Sequence, residues 1–143
     1  MPEVDVLVAG AAEGRVLALT RPLSLWGGLD AATGRVIDVR HPQHGATVTG
    51  RILLLPGGRG SSTSSTILAE AVRAGTAPAA IVLAEPDPII ALGAVVGREL
   101  YGSTVPVVVA IGDAYEEAAS AARVRVEGSS LSAVPDPDGP HDP

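Results

Sequence analysis

The residues best equipped for chemistry lie in one run, Pro56-Gly57-Gly58-Arg59-Gly60-Ser61-Ser62-Thr63-Ser64-Ser65. It follows the apolar stretch Ile52–Leu55 and precedes a helical pattern. Three glycines allow positive φ and a close approach of backbone to ligand. Ser61 or Ser62 falls at the expected N-cap, where free amides and the positive end of the helix dipole converge. That geometry suits a carboxylate or a phosphate, and Arg59 offers a two-pronged guanidinium for the same anion. An N-cap needs one serine, whereas this run holds five consecutive hydroxyl residues, Ser61 to Ser65, beside an arginine. No lysine follows the last glycine, so it is not a nucleotide-binding P-loop. The spacing Gly58-Arg59-Gly60-Ser61 is not that of a hydrolase nucleophile elbow.

Other polar groups carry less. His41-Pro42-Gln43-His44, with Asp38 upstream, has two imidazoles, but the proline rules against a regular helix and no third histidine lies nearby, so a solvated or hydrogen-bonded loop is expected. Glu85-Pro86-Asp87 precedes a helix and reads as favouring its dipole. Trp26, the single tryptophan, is expected in the core, with a cleft wall as the alternative.

The elements that must position these groups change character along the chain. The first half reads as short strands and turns. Val4–Val8 and Arg15–Leu19 suggest a hairpin-like pair, Arg35–Val39 a strand, and Thr47–Leu55, with Gly50 as a break, a run whose last four residues look buried on both faces. The second half alternates: a helix over Ser62–Ala74 stopped by Gly75, a strand over Ala79–Leu83, and a helix from Pro88 to Leu100. A strand over Val105–Ile111, a helix over Asp113–Ala121 and a strand over Arg123–Glu127 follow. The pattern predicts an α/β domain over residues 1–127, a mixed β-barrel or sandwich with flanking helices. Residues 128–143, acidic and proline-rich, read as a disordered tail.

With 143 residues the chain can bury a core, and 46% hydrophobic content with only 2% aromatics and no Phe means that Val, Ile, Leu and Ala must build it. All ten basic residues are arginine, net charge is −6, and no basic stripe points to nucleic acid. No apolar run reaches membrane-spanning length and no signal segment is evident, so a cytoplasmic location is expected. There is no cysteine, hence no disulfide and no thiolate metal site within the chain.

Five blocks together resemble the aconitase X small domain. They are Pro22 through Asp30, Gly34–Asp38 with His41-Pro42, Pro56 through Ser65, Arg73 through Ala80, and Leu83 through Tyr101. The resemblance spans Gly14 to Val109. It implies a swivelling β/β/α domain, like the mobile domain of aconitase, that caps a large subunit carrying an iron–sulfur cluster. It further implies a hydro-lyase acting on a hydroxy acid, phosphomevalonate or cis-3-hydroxy-L-proline. The family's catalytic base follows the Gly-Arg-Gly turn and matches Ser61. On that reading Arg59, Gly60, Ser62 and Thr63 hold the substrate carboxylate. A non-enzymatic alternative stays open: a swivelling phosphocarrier or anion-binding module, for which His41 or His44 would be the acceptor.

Overall fold

The computed structural model describes residues 4–56 and 63–136. A seven-stranded sheet has the order β1-β7-β6-β5-β2-β8-β9. Its centre is four parallel strands: β2 (Ala11–Ala18), β5 (Ile52–Leu55), β6 (Ala80–Leu83) and β7 (Val107–Val109). β1 (Asp5–Val8) runs antiparallel to β7, and β8 (Arg123–Glu127) and β9 (Ser130–Ala133) extend the other side antiparallel. The sheet curls into a half-barrel, so that the Val4 amide, leading into β1 at one edge, reaches the Ser129 carbonyl between β8 and β9 at 2.9 Å.

The curl follows from strands that are apolar on both faces. Leu53, Leu55, Ile81, Leu83, Val107 and Val109 pack toward α2 (Ser64–Ala74) and α3 (Pro88–Tyr101), meeting Leu68, Val72, Ile90 and Ala94. The alternate residues Ile52, Leu54, Ala80, Val82 and Val108 face the concave side, where α4 (Asp113–Ser120) and β8–β9 supply Tyr115, Ala118, Val124, Val126 and Leu131. A strand with no polar face must be covered twice, and the helices and the curl do that.

The helices end where sequence chemistry stops them. Gly75, at φ 78°, donates to the Val72 carbonyl while Thr76 donates to that of Ala71, a Schellman closure. In α3, Asp87 Oδ1 accepts from the Ile89 and Ile90 amides at 3.0 and 3.3 Å, and Pro88 occupies the first turn.

Between β2 and β5 the chain makes an excursion: α1 (Leu25–Gly28), then β3 (Leu29–Asp30) paired with β4 (Arg35–Val36). Trp26 (φ −68°, ψ 115°) and Gly27 (φ 79°, ψ −11°) have type II turn angles, and the Leu29 amide closes the turn onto the Leu25 carbonyl.

Several expectations are corrected. Val4–Val8 and Arg15–Leu19 form no hairpin: β1 joins β7, while β2 joins β5 and β8, and Ala9-Gly10 carries the chain across the barrel end. The strand expected over Arg35–Val39 stops at Val36, because Asp38 Oδ1 turns back to the Arg40 amide at 2.9 Å. The tail does not begin at Gly128, since Ser130–Ala133 pairs with β8 and buries Leu131. Among the described residues no helix is long and apolar enough to cross a membrane.

Candidate functional site

The parallel register Ala18↔Leu54, Leu55↔Leu83 and Leu83↔Val109 brings the carboxyl ends of β2, β5, β6 and β7 level along one edge. The connections leaving that edge start at Leu19, Pro56, Ala84 and Ala110. In α/β sheets ligands gather outside such strand ends. The segment from Pro56 to Thr63 is one of those connections, so topology puts the sequence's candidate run where this rule expects a site.

Of the five residues singled out, Arg59, Gly60, Ser61 and Ser62 lie outside the described residues. Thr63 is described: it stands at the head of α2, exposed, and its carbonyl accepts from the Thr66 and Ile67 amides at 3.0 and 3.3 Å. The helix itself begins at Ser64, and Thr63 before it already has helical backbone angles (φ −67°, ψ −17°), while the cap expected at Ser61 or Ser62 lies outside the described residues. Ser64 is drawn inward, 4% exposed, and its hydroxyl oxygen accepts from the Trp26 amide at 3.3 Å. Sequence reading grouped Ser64 with the other hydroxyls. Its burial shows a structural role that no local pattern announces.

Trp26 is not a core residue. Its side chain is 57% exposed, because the type II turn directs the following Gly27-Gly28 backbone back toward β3 and leaves the indole outside. Beside it lies a groove of about 750 Å³, bounded by Arg21, Ser24, Gly27, Asp38, Arg40 and His41 among others. Neither Arg21 nor Arg40 has an ion-pair partner among the described residues. Sequence reading missed both arginines, which carry no motif of their own.

His41 forms the hydrogen-bonded loop that was expected. Its side chain is buried, Nδ1 accepts from the Gln43 amide at 3.0 Å, and Nε2 lies 2.9 Å from the Arg21 carbonyl. An amide donor against Nδ1 fixes the proton on Nε2, which donates to Arg21. Both nitrogens are therefore engaged, Nε2 joining the loop to Arg21 across the groove and Nδ1 holding the loop's own turn at Gln43. Among the described residues no three His, Asp or Glu side chains converge to hold a metal ion.

The other charged cluster is structural. Glu13 on β2 accepts from Arg123 Nε at 2.8 Å and from Arg125 NH2 at 2.9 Å on β8. Those hydrogen bonds, Arg123's first, hold its carboxyl below the ordinary glutamate range. They knit neighbouring strands and lie away from the carboxyl edge.

Comparison with known proteins agrees with this architecture. A model of the aconitase X swivel domain matches residues 2–133. A cis-3-hydroxy-L-proline dehydratase of Pseudomonas aeruginosa is 48% identical over 114 residues, covering 80% of this chain and 20% of that protein. A phosphomevalonate dehydratase small subunit of Methanothermobacter thermautotrophicus is 48% identical over 95 residues, covering 65% of this chain and 72% of that one. In structure, the aconitase X of Thermococcus kodakaraensis superimposes with a TM-score of 0.79 at 29% identity, covering 94% of this chain and 99% of that one. A UPF0107 protein solved by NMR gives 0.81 at 31%, covering 93% and 98%. The chain spans about one fifth of the length of the hydroxyproline dehydratases that it matches. The swivel-domain match over nearly the whole chain shows that this protein belongs to the aconitase X swivel domain family.

Proposed function

We propose that this chain is the small, swivelling component of an aconitase X-type hydro-lyase, and that it supplies a serine base to an active site completed by a large subunit. The observation that carries the reading is the topology of the carboxyl edge: the Gly-Arg-Gly-Ser-Ser run joins the end of β5 to α2 there. Relatives bearing the names of dehydratases, or of a dehydratase small subunit, support the reaction class.

Dehydration of a hydroxy acid breaks a C–H bond beside the carboxylate and a C–O bond on the next carbon, forms a C=C bond and releases water. The proton needs a base within about 3 Å, and the negative charge that develops toward the carboxylate needs fixed donors. In this reading Ser61 takes the proton, while Arg59 and the Gly60, Ser62 and Thr63 amides hold the carboxylate. A serine hydroxyl is a weak base in water. Amides and a guanidinium grouped at a helix start favour its alkoxide. Closure of this domain over the partner would exclude water.

The chain's own donors do not fit an iron–sulfur cluster: it has no cysteine, and no metal-holding group is found among the described residues. Such a cluster belongs to the proposed large subunit. His41 is a poor acceptor for the phosphocarrier alternative, since its two ring nitrogens are both engaged and its side chain is buried, which leaves that alternative to the exposed His44.

The test is to assemble the chain with its large subunit and assay dehydration of phosphomevalonate and cis-3-hydroxy-L-proline. Ser61→Ala should abolish turnover and leave assembly intact. Near-normal turnover by that variant would overturn the assignment of the base, and failure of the wild-type pair to dehydrate either acid would overturn the reaction class.

A further inference from the structure

Resting on that reading, the groove face beside the candidate site has an assignment of its own. Ile37 and Val39 line it and Trp26 sits next to its lining residue Gly27, with 45%, 78% and 57% of their surfaces exposed. Three large apolar side chains left in water around one groove are unusual in an isolated domain.

The backbone beneath them is held at several points. The Trp26 amide bonds Ser64 at 3.3 Å, the Ile37 amide bonds the Gly28 carbonyl at 2.8 Å, and His41 fastens Arg21 to Gln43. The face is preformed, which lowers the ordering cost of binding.

Its charge points to the kind of partner. Arg73, Arg98, Arg123 and Arg125 each meet a carboxylate, whereas Arg21 and Arg40 at the groove meet none among the described residues. On a chain of net charge −6, these two cations outnumber the one carboxylate on the groove, Asp38, and leave a patch with an excess positive charge edged by apolar groups. It fits a protein surface that offers carboxylates around an apolar centre.

Position identifies the occupant. The Trp26 turn is bonded to Ser64, the first residue of α2, so the groove lies beside the head of that helix, where the proposed site would be. A body that completes the site there must also lie over the groove. In the Pseudomonas aeruginosa relative the matching region is one fifth of the protein, so the remainder is large enough to cover it.

We infer that the Trp26–Ile37–Val39 face, with Arg21 and Arg40, is the surface on which the large subunit docks. The outer face of α3, where Leu92 and Leu100 are also exposed, provides the comparison. There the neighbouring arginine, Arg98, is already paired with Glu99.

The absence of native cysteine makes the test direct. Val39→Cys and Leu100→Cys each create a unique thiol on an exposed position of the full chain. Their rates of maleimide modification are followed by the mass of this chain, alone and with the large subunit. Modification at position 39 should slow about tenfold or more in the complex and be unchanged at position 100, and Val39→Glu with Arg40→Glu should weaken assembly about tenfold or more. A complex that leaves Val39→Cys as reactive as in the free chain, or protects only Leu100→Cys, overturns the docking face and leaves the hydro-lyase reading standing. Slowing at position 39 as the free chain is concentrated, without the large subunit, overturns it in favour of self-association. If wild-type chain and large subunit form no complex at all, both readings fall.

Discussion

The Trp26 amide donates to the Ser64 hydroxyl oxygen at 3.3 Å, joining residues 38 positions apart. This bond ties the excursion between β2 and β5 to the first residue of α2, so the groove and the serine run share one anchor. Ser64→Ala leaves the amide without its acceptor at a part-buried place, a loss of about 1 kcal/mol by the usual worth of such a bond. The structural effect should be local. A fall of a few degrees in Tm is expected, together with faster acrylamide quenching of Trp26, the chain's single tryptophan. Ser64→Thr, which keeps the hydroxyl, should recover part of both. Unchanged quenching in Ser64→Ala would show that the bond does not hold the turn.

The approach of α3 to the head of α2 is set by a glycine. A Cβ at position 93 would stand 2.8 Å from the Ser65 carbonyl oxygen and 3.0 Å from Ser65 Cα, both backbone atoms that cannot rotate aside. Alanine at a helix interior gains about 1 kcal/mol over glycine in propensity, whereas forcing two packed helices apart costs about 1–3 kcal/mol. Strain should win, so Gly93→Ala is expected to lower the urea midpoint. Because the displaced atoms belong to the first turn of α2, dehydration by the assembled enzyme should fall further than stability does. A higher midpoint would mean that the helices slide freely, contrary to the packing described.

Local chemistry made much of this fold legible. Gly75, Asp87-Pro88 and Gly102 delimit α2 and α3 as their types require, and the apolar run Ile52–Leu55 is buried on both faces. Pairing was not legible. Ala9-Gly10 has the composition of a hairpin turn, yet β1 crosses to β7 because the half-barrel brings that edge round to the start of β2. Leu131 lies among polar neighbours in sequence, and its burial depends on the edge that β8 offers to β9. The same holds at the site. The serine run was visible as a motif, but the groove formed by Arg21, Ser24 and Ile37–His41 was not, because only the β3–β4 excursion brings those residues together. Trp26 was misplaced for a related reason: hydrophobicity predicts burial, while the positive φ of Gly27 turns the chain so that the indole faces out.

Tyr115 gives a prediction that isolates the concave core. Its side chain is buried between α4 and the half-barrel, and its hydroxyl has no hydrogen-bond partner among the described residues. Burial, with a smaller contribution from the Glu116 carboxylate, pushes the phenol from 10.0 up to about 12. The folded state therefore keeps a proton that the unfolded chain has begun to lose. The associated stability is fully present below about pH 10 and is lost as pH rises toward about 12. The chain has no lysine, so lysine deprotonation does not overlay this window. Thermal or urea unfolding followed from pH 9 to 12 should show a decline in wild type that Tyr115→Phe flattens, with Tyr101→Phe as the reference for the other tyrosine. At neutral pH, Tyr115→Phe should be close to neutral or slightly stabilising, since it removes a buried hydroxyl without orphaning a partner. A marked loss of stability at neutral pH would reveal a partner for that hydroxyl, and an unchanged alkaline decline would show that another group drives it.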